Sequence, residues 1–99
     1  LPDMNARKAI MEIHIKKRKH QPEIFDLATL AQKSDGFSGA EIEQAIVSAV
    51  YTAHGENKDL NSDHILQELT ITQPLSVVMA EQIANLRQWA KGRTVQVDS

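Results

Sequence analysis

Length, composition and charge exclude several classes of protein. The chain has 99 residues, of which 41% are apolar, 24% are charged and only four are aromatic, with a formal net charge of -2. A chain of this length forms one small domain with an aliphatic core, which favours helices over a β-sandwich. The charge gives no general attraction to nucleic acid or anionic membranes, and the absence of cysteine excludes disulfides and thiolate metal sites.

The N-terminus and the apolar runs of the chain indicate which cellular compartment to expect and whether the chain is part of a longer protein. The N-terminus LPDMNARKAI lacks an initiator methionine and the basic-then-apolar order of a signal peptide. The longest apolar runs are too short to span a bilayer. We therefore expect a fragment of a longer cytoplasmic protein, called the parent below, with no membrane partner.

A first helix is predicted to begin at Pro2 and Asp3, which suit a first turn. Its sequence carries two apolar stripes at helical spacing. We interpret the main, buried stripe as Ala6, Ala9, Ile10, Ile13 and Lys17, and the second as Met4, Met11 and Ile15. A helix that is apolar on two sides has two partners.

Two further helices follow a loop that contains Pro22. Asp26 is predicted to cap the short helix LATLAQK, which ends at the turn before Gly36. Ser38 then caps a third helix, and Glu41 completes an S-x-x-E capping box. One face of this helix is apolar up to the stop at Gly55, through Ile42, Ala45, Ile46, Ala49 and Ala53.

Two helices complete the predicted architecture. Asn61 or Ser62 caps the fourth, which includes His64, Ile65 and Leu69, and Pro74 enforces the break beyond it. Ser76 starts the last helix, whose apolar face is Met79, Ile83, Leu86 and Ala90, beside Trp89 and before Gly92. The fold class is therefore all-α, a small bundle of four or five helices.

Most candidate chemical groups have an ordinary structural interpretation. The basic run KKRK at 16–19 points in several directions and complements a helix dipole, which indicates a solvated helix end rather than a nucleic-acid contact. The four histidines show no metal-ligand spacing, so no metal site is predicted. No nucleophile or base is marked among the carboxylates, and the residues alone are not predicted to be an enzyme.

Two positions leave a structural and a functional interpretation open. His14 lies one helical turn beyond Ile10, where a histidine is ordinarily half-buried with a satisfied hydrogen bond. Gly39 follows the Ser38 cap, where a better helix former would be more stable by up to about 1 kcal/mol. Either glycine is tolerated there, or a flat group approaches the helix N-terminus at Gly39 and Ala40.

Two motifs resemble a known family. SDGFSGAEIEQAIVSA, at 34–49, resembles the second-sensor region of AAA ATPases, where a G-[FY]-[ST]-G-A-[DE]-[LI] segment opens the third helix of the small lid subdomain. LPDMNARKAIMEIHIKK resembles the start of that lid, through Pro2, Asp3, Arg7, Ile10 and His14. PLSVVMAEQIANLRQWAKGR looks like the C-terminal end of a bacterial and plastid branch of the family.

The resemblance implies a lid subdomain over residues 1–92 and a flexible tail over 93–99. It implies that Ile10 packs on an adenine, that His14 approaches the ribose and base, and that Gly39 and Ala40 form a flat wall beside the ring. ATP with Mg²⁺ would be bound by the parent, an ATP hydrolase, and not tightly by these residues alone. The implied partners are the large α/β subdomain of the parent and neighbouring protomers of a homo-oligomeric ring, usually a hexamer.

One departure from the wider superfamily concerns the phosphates. Many relatives carry an arginine in the first turn of this helix, whereas Gly39, Ala40 and Glu41 provide no cation there. AAA proteins share this absence, so the lid is expected to contact the base. The P-loop and the arginine finger belong to the large subdomain, and hydrolysis is not expected in these residues alone.

Two alternatives from other classes remain at this point. A helical nucleic-acid-binding module would use KKRK and the basic residues between Arg87 and Arg93, and would show strongly salt-dependent binding to DNA. A protein-interaction bundle without a nucleotide site would lack a G-x-x-x-x-G-K-[ST] motif upstream of Leu1.

Overall fold

The structure is a computed structural model that describes the backbone of residues 1–98 and the side chains of residues 1–90. Within that part of the chain every regular element is helical, which confirms the predicted all-α class. A short 3₁₀ turn, Pro22–Ile24, separates the first two helices. The α-helices are α1 (Met4–Lys17), α2 (Leu27–Lys33), α3 (Gly39–Gly55), α4 (Ser62–Ile71) and α5 (Leu75–Asp98).

Side-chain caps fix the starts of α1 to α4. The carboxylates of Asp3 and Asp26 accept hydrogen bonds from backbone N–H groups of α1 and α2. Ser38 and Glu41 form the complete capping box that the S-x-x-E spacing predicts for α3. Asn61 caps α4, one of the two residues predicted for that role. Local sequence therefore determines where these four helices begin.

The core lies between α1, α2, α3 and α4. The predicted apolar face of α3 is confirmed, because the residues from Ile42 to Ala53 that define it are all buried. The side chains that contribute the largest fully buried volumes come from α1, α2, α3, α4 and the turn before α3. They are Phe37, Met11, Ile15, Leu30, Ile42, Ile46 and Ile65.

The two stripes of α1 do not have the predicted roles, although Met4 of the second stripe is exposed and Ala6 and Ile10 of the main stripe are half-buried. Met11 and Ile15 are completely buried, whereas Ala9 is exposed and Ile13 is 61% exposed. The physical reason is Arg7, which lies one turn before Met11 and is itself buried. Its interactions, described next, turn the Met11 stripe inward and leave the other stripe at the surface.

Arg7 joins the start of α1 to the end of α2. Its Nε donates to the carbonyl oxygen of Ala31 at 3.0 Å and to Oγ of Ser34 at 3.2 Å. Its Nη1 donates to the carbonyl oxygen of Pro2 at 3.0 Å and lies 3.7 Å from a carboxylate oxygen of Asp35. A buried cation is tolerated only when it is paired and hydrogen-bonded, and these contacts meet that requirement.

The predicted bundle of four or five helices contains four, because the apolar face of the fifth helix is not packed against it in the described residues. Met79, Ile83, Leu86 and Trp89 remain 44 to 64% exposed. The radius of gyration is 18.1 Å, against about 13 Å for a compact domain of 100 residues. The packed bundle therefore has four helices, and α5 extends away from it.

The helix α5 also continues past Gly92, where the sequence predicts its end. Residues 93–98 are helical, and Ser99 lies outside the described residues. One glycine near a helix end costs only about 1 kcal/mol, which is too little to stop a helix by itself. The division into a lid over 1–92 and a flexible tail over 93–99 stays a prediction.

Replacing Gly36 with alanine should destabilise the chain by about 2 kcal/mol. Gly36 has a φ of +83°, and an added Cβ would lie 3.1 Å from Oγ of Ser76 and 3.3 Å from Cγ2 of Val77. Backbone strain and crowding therefore act together. Urea denaturation measures the loss, with Gly55→Ala as the control, because an added Cβ at Gly55 meets nothing within 4 Å. Equal losses of stability in the two variants would contradict the conclusion that strain and crowding require glycine at position 36.

Acid should remove the contribution of the Asp26 cap. Hydrogen bonds from the side chain and then the backbone of Thr29 hold the pKa of Asp26 below its ordinary value of 3.8. Because this pKa is lowered on folding, the stabilisation is present above 3.8 and is lost as the pH falls through the folded-state pKa. We expect the stability difference between wild type and Asp26→Ala to be constant near neutral pH and to shrink in acid. Urea denaturation at a series of pH values checks this, and a difference that grows in acid would contradict it.

Candidate functional site

Two of the predicted site residues meet where α1 crosses the start of α3. Gly39 is the first residue of α3, and, leaving aside its chain neighbours and the backbone of its own turn, the nearest described atom to a Cβ built there is Cδ1 of Ile10, at 3.7 Å. Both residues are half-buried. A side chain added at position 39 would therefore make ordinary van der Waals contact with Ile10, which shows that the two residues are neighbours on this surface.

His14 lies one turn further along α1 and faces Glu43, one turn further along α3. The side chain of His14 is 16% exposed, and its Nδ1 is 3.2 Å from Oε2 of Glu43. This distance suits an ion pair when the imidazole is protonated, but the angles are not those of a hydrogen bond. The buried Nδ1 has no hydrogen-bond partner among the described residues. The satisfied hydrogen bond expected for an ordinary half-buried histidine is therefore not formed at this atom.

The side chain of Ala40 is exposed beside Gly39, on a backbone that the capping box holds in place. Ser38 N donates to Oε1 of Glu41 at 2.9 Å, and Glu41 N donates to Oγ of Ser38 at 3.2 Å. Hydrogen bonds from the backbone of Leu75 and then of Ser38 hold the pKa of Glu41 below its ordinary value of 4.5. The carboxylate that fixes the first turn of α3 is thus ionised at neutral pH.

The site is an open surface rather than a cavity. No enclosed pocket is found in the part of the chain that the structure describes, and no group of acidic or histidine side chains there could hold a metal ion. None of the helices in the described residues has both the length and the apolarity needed to cross a membrane.

The basic run lies at the C-terminal end of α1, as predicted. Lys17 is the last helical residue, and Arg18 donates to the carbonyl oxygen of His14 at 3.1 Å. Lys16 lies 3.6 Å from a carboxylate oxygen of Glu12 in an exposed pair. These cations complement the partial negative charge at the helix end.

Sequence reasoning did not predict the contacts made by Glu43, Arg7 and the second carboxylate oxygen of Glu41. Glu43, which faces His14, gave no signal, because a glutamate on a helix is usually solvated. Arg7 did give a signal, since it precedes Met11 and Ile15 at intervals of four residues and so shares their face. The second oxygen of Glu41, which contacts α5, could not be foreseen from helical spacing.

Comparison with known proteins places this arrangement in a class. The model of the AAA+ lid domain matches residues 24–68, which span α2, α3 and most of α4. The chain therefore carries an AAA+ lid domain, the small helical lid of an AAA ATPase.

Particular relatives extend the match to the whole chain. The chain is 36% identical over 100 residues to the uncharacterized AAA domain-containing protein ycf46 of Trieres chinensis, and 34% identical over 100 residues to that of Guillardia theta. Each alignment covers 100% of this chain and 20% of the relative. The chain is also 45% identical over 60 residues to the proteasome-activating nucleotidase of Saccharolobus islandicus, covering 59% of this chain and 15% of that protein. It thus spans about a fifth of the length of the ycf46 relatives.

Proposed function

We propose that this lid supplies the adenine-side wall of an ATP site whose remaining walls belong to the large α/β subdomain of the parent. Ile10, Gly39 and Ala40 would contact the faces and edge of the base, and His14 would approach the ribose. The parent would hydrolyse ATP, and the lid would close over the nucleotide.

The observation that carries this proposal is that the fold itself does not require glycine at position 39. A Cβ there would make one ordinary contact, with Ile10, in the chain's own structure. At Gly36, by contrast, a positive φ and two close atoms of α5 explain the glycine completely. A bare backbone at a helix N-terminus, in an open surface, is the feature expected where a flat ligand group lies against the chain.

The remaining groups fit an adenine nucleotide and not its metal ion. The side chain of His14 is 16% exposed, and its buried Nδ1 faces Glu43, so a ribose or base atom would contact the exposed part of the ring. The described residues hold no cluster of metal ligands. Mg²⁺, which offsets phosphate charge during hydrolysis, would therefore be held by the large subdomain and by the nucleotide.

The exposed apolar stripe of α1 supports the proposed partner. Ala9 and Ile13 lie at the surface next to the half-buried Ile10, so the stripe leads directly to the candidate site. A contiguous apolar surface beside a nucleotide wall suits the large subdomain of the same parent. Through that contact the lid would report nucleotide state to neighbouring protomers of a cytoplasmic ring.

Replacing His14 with alanine in the parent should raise the KM for ATP by roughly threefold to tenfold, the value of one hydrogen bond. Steady-state ATP hydrolysis measures the change. His54→Ala is the matched control, because His54 is exposed at the opposite end of α3 and should leave KM unchanged. Equal KM values for wild type and His14→Ala would remove His14 from the site.

A further inference from the structure

The first turn of α5 is bonded to the segment that precedes and opens α3. The backbone N–H of Leu75, the first residue of α5, donates to Oε2 of Glu41 at 2.7 Å. The hydroxyl of Ser76 donates to the carbonyl oxygen of Gly36. These two acceptors lie on either side of Gly39 in the sequence. Two hydrogen bonds therefore connect α5 to the candidate nucleotide wall.

Close packing reinforces these bonds. The backbone of Gly36 is covered by Ser76 and Val77, so closely that even a methyl group would crowd them. Pro74, directly before α5, is buried. From Met79 to residue 90, every side chain of α5 is exposed. The hydrogen bonds and close contacts described here between α5 and the segment around the start of α3 therefore lie in the first turn of α5.

Glu41 is the group common to both helices. Its Oε1 accepts from Ser38 N and completes the cap of α3, while its Oε2 accepts from Leu75 N at the start of α5. The two helix N-termini share one carboxylate, and each positive helix end favours its negative charge. The first turn of α3 cannot rotate relative to α5 without breaking one of these charge-assisted hydrogen bonds.

We propose that Glu41 is a positioning residue that couples the orientation of α5 to the first turn of α3. Ser76, through its bond to Gly36, is the second component of the same joint. The functional role of this coupling rests on the proposed function, because a nucleotide bound at Gly39 and Ala40 would then affect the direction of α5. The joint itself exists without nucleotide and can be measured without it.

The test measures the distance between α3 and α5 by pulsed electron paramagnetic resonance. The chain has no cysteine, so nitroxide labels can be attached at Gln44→Cys on α3 and Gln82→Cys on α5, both exposed positions. We expect one narrow distance distribution in the otherwise wild-type chain. Glu41→Gln should broaden it, because the amide has one acceptor oxygen and directs N–H groups at the other donor. Ser76→Ala should broaden it independently.

A second measurement and a matched control separate this coupling from a general loss of structure. The amide of Leu75 should exchange with solvent about tenfold faster in Glu41→Gln, while the amides in the middle of α3 keep their protection. Glu12→Gln, the same substitution at an exposed ion pair on α1, should alter neither observable. A broad distribution in the wild-type background, or one that neither Glu41→Gln nor Ser76→Ala changes, would overturn the inference.

Failure of this inference and failure of the proposed function give different results. The distance and exchange measurements contain no nucleotide, and they report only on the joint. ATP kinetics of the parent with substitutions at His14 or Gly39 report only on the nucleotide wall. A rigid joint with unaltered ATP kinetics would therefore remove the nucleotide site and leave the coupling in place.

Discussion

Replacing Gly39 with leucine should raise the KM of the parent for ATP by about tenfold, equivalent to about 1.4 kcal/mol of lost binding. The added side chain would occupy the space beside Ile10 in which the adenine is proposed to lie. The chain itself has room for it, because the nearest atom to a Cβ at this position is 3.7 Å away. The loss should therefore appear in nucleotide binding rather than in folding.

A matched pair of glycines makes this result specific. Gly39 and Gly55 are the first and last residues of α3, and neither has a positive φ. Gly55→Leu should leave the KM for ATP unchanged, since Gly55 is distant from the candidate wall along the helix. Steady-state ATP hydrolysis by both variants of the parent provides the comparison. Similar KM values for Gly39→Leu, Gly55→Leu and wild type would count decisively against the site.

Alanine at position 39 separates folding from binding. We expect Gly39→Ala to stabilise the chain by up to about 1 kcal/mol, since alanine suits a helix better and fits the observed space. The same substitution should weaken ATP binding by the parent, though less than leucine does. Urea denaturation would then show a higher free energy of unfolding, while ATP kinetics would show weaker binding of ATP. If Gly39→Ala lowered both the stability of the chain and the binding of ATP, Gly39 would be needed for the fold.

The second large effect is expected at Arg7, where methionine should destabilise the chain by about 3 kcal/mol. Methionine retains part of the apolar stem but loses the hydrogen bonds to Ala31, Ser34 and Pro2. Lysine should not restore stability, because these acceptors are arranged for a planar guanidinium. Urea denaturation monitored by circular dichroism measures the loss.

Arg18→Met is the control for this substitution. Arg18 directly follows α1, and its side chain donates to the carbonyl oxygen of His14. Its replacement should cost no more than about 1 kcal/mol. Comparable losses for the two arginines would show that the partners of Arg7 do not specify which face of α1 is buried.

The contrast between α3 and α1 shows what the sequence could predict. The cap, the buried face and the end of α3 follow from local spacing, and the structure matches them. In α1 both stripes are apolar, and periodicity alone cannot rank them. The burial of the Met11 stripe depends on Arg7, two of whose acceptors, Ala31 and Ser34, lie at the end of α2, more than twenty residues away.

The candidate site was accessible from sequence for a different reason. Gly39 and Ile10 each belong to a motif of the resembled family, and the structure places Cδ1 of Ile10 3.7 Å from a Cβ built at Gly39, while their role as a nucleotide wall stays a prediction. The pairing of His14 with Glu43 and the use of both oxygens of Glu41 depend on how the helices cross. Such contacts have no local signature and require coordinates.

Because α5 is long, a small rotation at its attachment moves its far end by a large distance. A helix of 24 residues at about 1.5 Å per residue extends roughly 36 Å from its anchor. If the joint at Glu41 turns by about 10°, the far end sweeps through roughly 6 Å, by the same geometry. A small rotation at the proposed adenine wall would thus become, at the far end of α5, a displacement large enough to engage or release another surface.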